Sequence, residues 1–340
     1  MDRVYRERFA ADERKGTAEM TRKTACIMIG GTSALLCTLI GGAMYGTTKI
    51  LVDTALDREA PRIMNRLGGL ISGVPKNAAE EEGREAAGQA LLKRETETVK
   101  LRGPDGTVLT GHFYPCAHAK RVIVAMHGWR SAWYRDFGAI ADFWHDAGCH
   151  ILFPDQRGQN ESGGNVIGFG ALERHDCVLW ADWAEKRCEG LPVYLAGISM
   201  GATTVLLASE LALPDCVRGI IADCGFISTE RIWKHVIKNN LHMMYGLRRR
   251  IASALCRKKL SLGAGEVSTL HALHRTRTPI LLIHGTADRF VPVGMTYENY
   301  QACIAPKRLL IVPGAGHGMS YVVDRENYER EVKDFWETYD

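Results

Sequence analysis

The stretch that most constrains this chain is Val193-Tyr194-Leu195-Ala196-Gly197-Ile198-Ser199-Met200-Gly201-Ala202-Thr203-Thr204. A short apolar run of strand type enters a Gly-x-Ser-x-Gly turn, and the small and apolar residues that follow suit a buried helix. A strand-to-helix turn this tight leaves no space for bulk two residues before or after the serine, and it forces the hydroxyl up out of the sheet. Five residues are weak on their own; the strand–turn–helix setting is what gives them meaning.

The surrounding chain supplies that setting. Glu97 to Leu101 and Val108 to Tyr114 flank a Pro-Asp-Gly turn and predict an antiparallel hairpin. Arg121–Met126, Cys149–Phe153, Val193–Ala196, Gly219–Ala222 and Ile280–Ile283 are near-continuous apolar runs separated by helical patterns. Strands buried on both faces have this texture, so the expected architecture is α/β, with a mainly parallel central sheet and crossover helices. In such sheets ligands bind beyond the carboxyl ends of the strands.

Five strand ends carry unusual residues: His127-Gly128-Trp129-Arg130, Asp155-Gln156-Arg157-Gly158 leading to Asn160 and Ser162, Asp223-Cys224-Gly225, His284-Gly285-Thr286-Ala287-Asp288, and Pro313-Gly314-Ala315-Gly316-His317-Gly318. Singly, an aspartate after a strand reads as a cap and a histidine as a hydrogen-bonded structural group. Together they match a chemical requirement. A serine hydroxyl needs a base to take its proton, and the base needs a carboxylate to fix its tautomer. Ser199, Asp288 and His317 follow the chain order nucleophile, acid, base. Asp223 also ends a strand near the serine and is the alternative acid.

On these motifs residues 96–340 resemble the α/β-hydrolase-fold serine hydrolases, and in particular membrane-anchored bacterial α/β hydrolases and their prolyl-oligopeptidase-type relatives. The resemblance implies that Ser199 attacks an acyl carbonyl, that His317 is the base and that Asp288 orients it. It also implies an oxyanion hole from the backbone N–H groups of Trp129 and Met200, a loop-shaping role for His127, and substrate contacts from Trp129, Arg130, Phe226 and Met319. Asn160 stands where many relatives have glycine, and Asn tolerates the left-handed backbone there. A small-molecule ester, thioester or acyl compound is the implied substrate, with no metal or organic cofactor. Peptidase action uses the same triad and is the enzymatic alternative; a non-catalytic binding protein that kept the fold is the alternative of another class.

Residues 226–278 occupy the usual place of a cap. Within them, 231–259 contain nine Lys or Arg and no acid, interleaved with apolar residues at helical spacing. The plain expectation is a pair of amphipathic helices with solvated charge. The sharper one is contact with anionic lipid headgroups or an acidic substrate.

The N-terminus reads differently. Residues 1–23 are polar and expected to be a solvated tail, while 24–48 are 25 uncharged residues bracketed by Lys23 and Lys49. About 20 helical residues cross a bilayer core, so this is the expected single transmembrane helix. Seven Lys and Arg in 1–23 against four in 48–67 put the N-terminus inside and the bulk of the chain outside the cytoplasmic membrane. A cleaved secretory signal is the competing reading, disfavoured by its length. Residues 49–95 are expected to be a helical linker, with apolar patches at 50–52 and 63–74 and a helix-forming stretch at 77–94.

The net charge of +4 is small for 340 residues and no nucleic-acid-binding motif is present, which excludes nucleic acid as an expected partner. Ten cysteines lie scattered without a CxxC pair, a pattern of free thiols rather than structural zinc. No feature sets an oligomeric state.

Overall fold

The computed structural model describes residues 2–59, 61 and 78–340. Two compact units divide the chain at Ile50 and Leu51. The first belongs to α1, a helix running from Asp2 to Leu56 without interruption. Residues 23 and 48, the expected limits of the tail and the span, both lie inside this helix. Arg, Glu, Ala, Met and Lys are strong helix formers, and no proline precedes Pro61 to stop them. Among the described residues no helix is long and apolar enough to cross a membrane. The side chains of residues 25–37, the middle of the expected span, lie outside the described set, as do residues 62–77 with the apolar patch expected there.

The second unit is built on an eight-stranded sheet in the order β1-β2-β4-β3-β5-β6-β7-β8. Helix α2 (Ala78–Leu92) precedes the hairpin of β1 (Glu97–Arg102) and β2 (Val108–Tyr114). Then come β3 (Arg121–Met126), α3 (Trp133–Phe137), α4 (Ala141–Asp146), β4 (Cys149–Pro154), α5 (Glu173–Arg187), β5 (Val193–Ile198), α6 (Met200–Ala208) and β6 (Val217–Asp223). The cap holds α7 (Thr229–His235), a π turn (Val236–Asn240), α8 (Gly246–Leu260) and α9 (Thr269–Leu273). The chain closes with β7 (Ile280–Gly285), α10 (Gly294–Ala302), β8 (Lys307–Val312), α11 (Ser320–Val323) and α12 (Arg325–Tyr339). β2 pairs antiparallel with β4, and the six strands from β4 to β8 are parallel.

The register brings the strand ends into line: Met126 faces Gly197, Ile198 faces Asp223, and Gly285 faces Val312. Loops flagged as unusual in the sequence thus emerge along one edge. One core lies on each side of the sheet. Around Leu109, Val124, Leu195 and Trp180 it is covered by α5 and α6; around Ile123, Phe153, Ile221 and Trp336 by α4 and α12. Helix α12 shows how the sequence does this. Asp324 caps it by accepting from Asn327 N, and Tyr328, Val332, Phe335 and Trp336 recur at helical spacing as its buried face. Each aromatic so buried stabilises the fold by about 2–3 kcal/mol.

The eight cysteines whose side chains are described are free, and six of them are buried.

Candidate active site

The elbow is a consequence of sterics. A Cβ on Gly201 would lie 1.8 Å from the carbonyl oxygen of Met126, and one on Gly197 would lie 2.3 Å from the backbone of Gly201. Only glycine permits that approach of β5, α6 and the end of β3. Between them Ser199 adopts φ 57°, ψ −117°, a conformation a non-glycine residue holds only when its surroundings impose it. Here Ser199 N donates to Asp223 O, and all nine residues of α6 are buried.

Ser199 Oγ stands 2.9 Å from His317 Nε2, and His317 Nδ1 stands 2.7 Å from Asp288 Oδ2. Three side chains from three loops thus form one line of hydrogen bonds. Asp288 is held on its other oxygen, Oδ1, by the N–H groups of Phe290 and Val291, both at 2.9 Å. His284 Nε2 lies 3.2 Å from Asp288 Oδ2 and 2.9 Å from Val291 O, and Phe290 meets the His317 ring edge to face.

Burial alone would raise the Asp288 pKa, but the charge of His317 and the hydrogen bonds from His284 and His317 hold it well below the usual carboxylate range. Burial would lower that of His317, yet the charge and hydrogen bond of Asp288 carry it above the ordinary imidazole value. Asp223, the alternative acid, does not bond His317. It accepts from Ser320 Oγ at 2.9 Å, and burial pushes its pKa up to about 6.

Cys224 Sγ falls in one cluster with the ligand atoms of Asp288 and His317, all within 4.8 Å of one another. The histidine and the aspartate are already committed to each other. Burial, with Asp223 and Asp288 nearby, pushes the thiol pKa well above its ordinary value, so Cys224 is neither a thiolate nucleophile nor a ready metal ligand.

The facing loop, His127 to Ser131, lies close to the elbow: a Cβ on Gly128 would be 3.5 Å from Ser199 Cβ. Its amides are assigned one by one. Gly128 N donates to Asp136 Oδ2 at 2.7 Å, Arg130 N to Gln159 Oε1 at 2.6 Å, and Ser131 N to Gly128 O at 3.4 Å. The N–H of Trp129 is the one between them with no acceptor among the described residues, and the same holds for Met200 N at the start of α6. His127 is buried and shapes the loop, as Gln156 N donates to its Nε2 at 3.1 Å and its Nδ1 lies 2.8 Å from Gly128 O. Arg157 likewise builds structure, with a bidentate pair to Asp176 and a contact to Asp105. Asn160 has φ 47°, the left-handed backbone expected of it.

The expected substrate contacts are placed unequally. Met319 lines a pocket together with Ile198, Gly318 and Tyr321. Trp129 packs on Phe169, which in turn meets Phe226; all three belong to an apolar cluster with Met200, Trp233 and Val52. Arg130 departs from expectation: its guanidinium is taken up by the carbonyls of Thr54, Asp57 and Arg58, to which it donates. A helix end whose carbonyls need donors is the stronger claim on that charge. The sequence reading missed Asp136 and Gln159, which hold the loop amides. Asp136 sits in no motif; Gln159 lies within the unusual stretch after β4, but nothing there marks its contact with Arg130 N.

A parallel sheet, a glycine-flanked elbow and this order of strand-end loops decide the fold. The chain has the α/β-hydrolase fold. In agreement, a family model described as "Serine aminopeptidase, S33" matches residues 117–261, which include Ser199 but stop before Asp288 and His317. A solved esterase of Pyrococcus furiosus aligns with a TM-score of 0.61 at 20% identity, over 74% of this chain and 93% of that chain. The acylaminoacyl peptidase of Pyrococcus horikoshii aligns with a TM-score of 0.53 at 17% identity, over 74% and 42% of the two chains. In sequence, the uncharacterized protein YqkD of Bacillus subtilis (strain 168) is 29% identical over 192 residues, which are 56% of this chain and 63% of that relative.

Proposed function

We propose that this protein is a serine hydrolase that cleaves carboxylic esters or thioesters through an acyl-enzyme. The observation that carries the reading is the relay itself: Ser199 Oγ to His317 Nε2 at 2.9 Å, and His317 Nδ1 to Asp288 at 2.7 Å. Ser199 Oγ attacks the acyl carbon while its proton passes to His317 Nε2. The N–H groups of Met200 and Trp129 receive the oxyanion. The tetrahedral adduct collapses, the C–O or C–S bond breaks, and His317 returns the proton to the departing alcohol or thiol. Water then repeats the sequence on the acyl-serine and releases the acid. Each oxyanion donor is worth about 3–4 kcal/mol of transition-state stabilisation.

Ester rather than peptide cleavage is favoured by the apolar cluster that holds Met200, the residue after Ser199, together with Trp129, Phe169, Phe226 and Phe290. An aminopeptidase must hold a substrate ammonium. The nearby carboxylate of Asp136 is already matched by Arg84, Ser131 and Gly128 N. The family model's description and the Pyrococcus horikoshii peptidase keep amide cleavage as the second reading. A fluorophosphonate probe should form an adduct on Ser199, and Ser199→Ala should abolish labelling and lower kcat on p-nitrophenyl esters by about 10⁶-fold. Absence of the adduct refutes the mechanism, and faster turnover of amino-acid p-nitroanilides than of esters transfers the substrate class to peptides.

The proposal includes a placement, single-pass in the cell membrane with the catalytic unit on the outer side. Its support is sequence alone, the uncharged run 24–48 and the excess of basic residues before it. Extraction by carbonate but not detergent dependence in fractionated cells would overturn it.

A further inference from the structure

The last four carbonyls of an α-helix have no partner within the helix. At the end of α1 they are all answered. Asp53 O accepts from Asp57 N; Leu56 O accepts from Ile167 N at 2.6 Å; Ala55 O accepts from the indole Nε1 of Trp129 at 2.9 Å; Thr54 O accepts from Arg130 Nε at 3.2 Å and Nη2 at 2.7 Å. Arg130 continues past the helix end, with Nη1 on Arg58 O at 3.0 Å and Nη2 also on Asp57 O. A cation among helix C-terminal carbonyls is favoured by the helix dipole as well as by the hydrogen bonds.

The same turn is gripped from other sides. Asp57 forms a β-bridge with Val166, and Arg58 donates to Asn160 O and Ser162 O. Lys259, at the end of cap helix α8, bonds Asp57 at 2.5 Å and lies 3.1 Å from Asp53. Val52 and Leu56 are buried in the apolar cluster that contains Met200 and Phe226.

Trp129 is the residue proposed above to supply the second oxyanion amide, and Arg130 follows it. Arg130 has φ 50°, the left-handed backbone that turns the loop and that an arginine adopts only under constraint. Gln159 holds its amide and three backbone carbonyls hold its side chain.

We infer that residues 51–58 are a working part of the catalytic site: the last turn of α1 holds the oxyanion loop in place, and Arg130 and the Trp129 indole are positioning groups that act through the Trp129 amide. This rests on the serine-hydrolase reading above. It adds that the oxyanion hole is completed by a segment lying before the hairpin, outside the sheet and its crossovers.

The test uses the full chain, with active sites titrated by a fluorophosphonate so that kcat is counted per competent serine. Arg130→Ala should lower kcat on p-nitrophenyl butyrate by about tenfold to a hundredfold, less than outright loss of an oxyanion donor. KM should stay within about twofold, since an interaction made in the transition state is removed rather than ground-state binding. Inhibition by an aryl trifluoromethyl ketone, whose serine adduct carries the same oxyanion, should weaken by the same factor as kcat. Arg130→Lys should recover part of both. Trp129→Phe, which keeps the ring and the amide but loses the indole donor, should show a smaller loss of the same kind.

A purely structural role would lower the melting temperature and the titrated fraction while leaving kcat per site intact, and that result overturns the inference. So does a kcat loss without a parallel loss of ketone affinity. If Arg130→Ala does not fold, Trp129→Phe decides by the same two readouts. Wild-type protein that neither labels nor turns over ester would refute the serine-hydrolase reading itself and with it this extension, a failure seen before any variant is compared.

Discussion

The two sides of the site are made in opposite ways. The elbow is local: within Gly197 to Gly201 two glycines admit contacts no Cβ could survive, and the backbone carries Ser199 into place. The loop facing it is assembled from afar. Its amides and side chains are held by Asp136 from α3, Gln159 from the loop after β4, and the carbonyls of residues 54–58. A serine placed by sterics is robust and legible; a loop placed by distant hydrogen bonds is adjustable and hidden.

Substitutions on each side should expose that contrast, and the largest effect belongs to the relay that joins them. Asp288→Asn keeps the shape but removes the charge that fixes the His317 tautomer, and kcat should fall about 10⁴-fold. The pH profile supplies the sign. His317 must be neutral to accept the proton, and Asp288 raises its pKa. The acid limb of wild-type kcat/KM therefore lies above the ordinary imidazole value of about 6.5, with activity present above it and lost as pH falls. In Asp288→Asn the limb should move to lower pH. A limb that stays where it was in the variant would remove His317 as its source.

Gly201→Ala comes next and tests the local side. Its methyl would meet the Met126 carbonyl, a backbone atom that cannot step aside, so destabilisation of about 4 kcal/mol or more is expected in urea unfolding. A loss under about 1 kcal/mol would show that the elbow relaxes and is not sterically determined. The smallest effect tests the distant side. Asp136→Asn keeps a hydrogen-bond acceptor for Gly128 N but loses the charge paired with Arg84, and kcat should fall about tenfold with KM little changed. An unchanged kcat would mean that the loop needs no support from α3.

What was readable in the sequence follows the same division. The hairpin, the buried strands, the elbow and the order of Ser199, Asp288 and His317 depend on neighbours in the chain, and the structure brings those three side chains into one line. The choice between Asp288 and Asp223 was open to spacing alone; what separates them is contact, since Asp223 is turned to Ser320. The resemblance implied a substrate contact for Arg130. Its actual partners lie some seventy residues earlier, and no periodicity encodes that meeting. The expected tail boundary at residue 23 rests on a change in polarity, and no helix end marks it because helix propensity does not register polarity.

The last turn of α1 also bears on where this protein can be cut. A recombinant fragment that starts at the hairpin would retain every strand and all three relay side chains, and by domain logic it would look complete. It would also strip the partners from a half-buried arginine and open the apolar cluster to water where Val52 and Leu56 had closed it. For expression, crystallography or directed evolution, the smallest faithful piece begins ahead of Leu51.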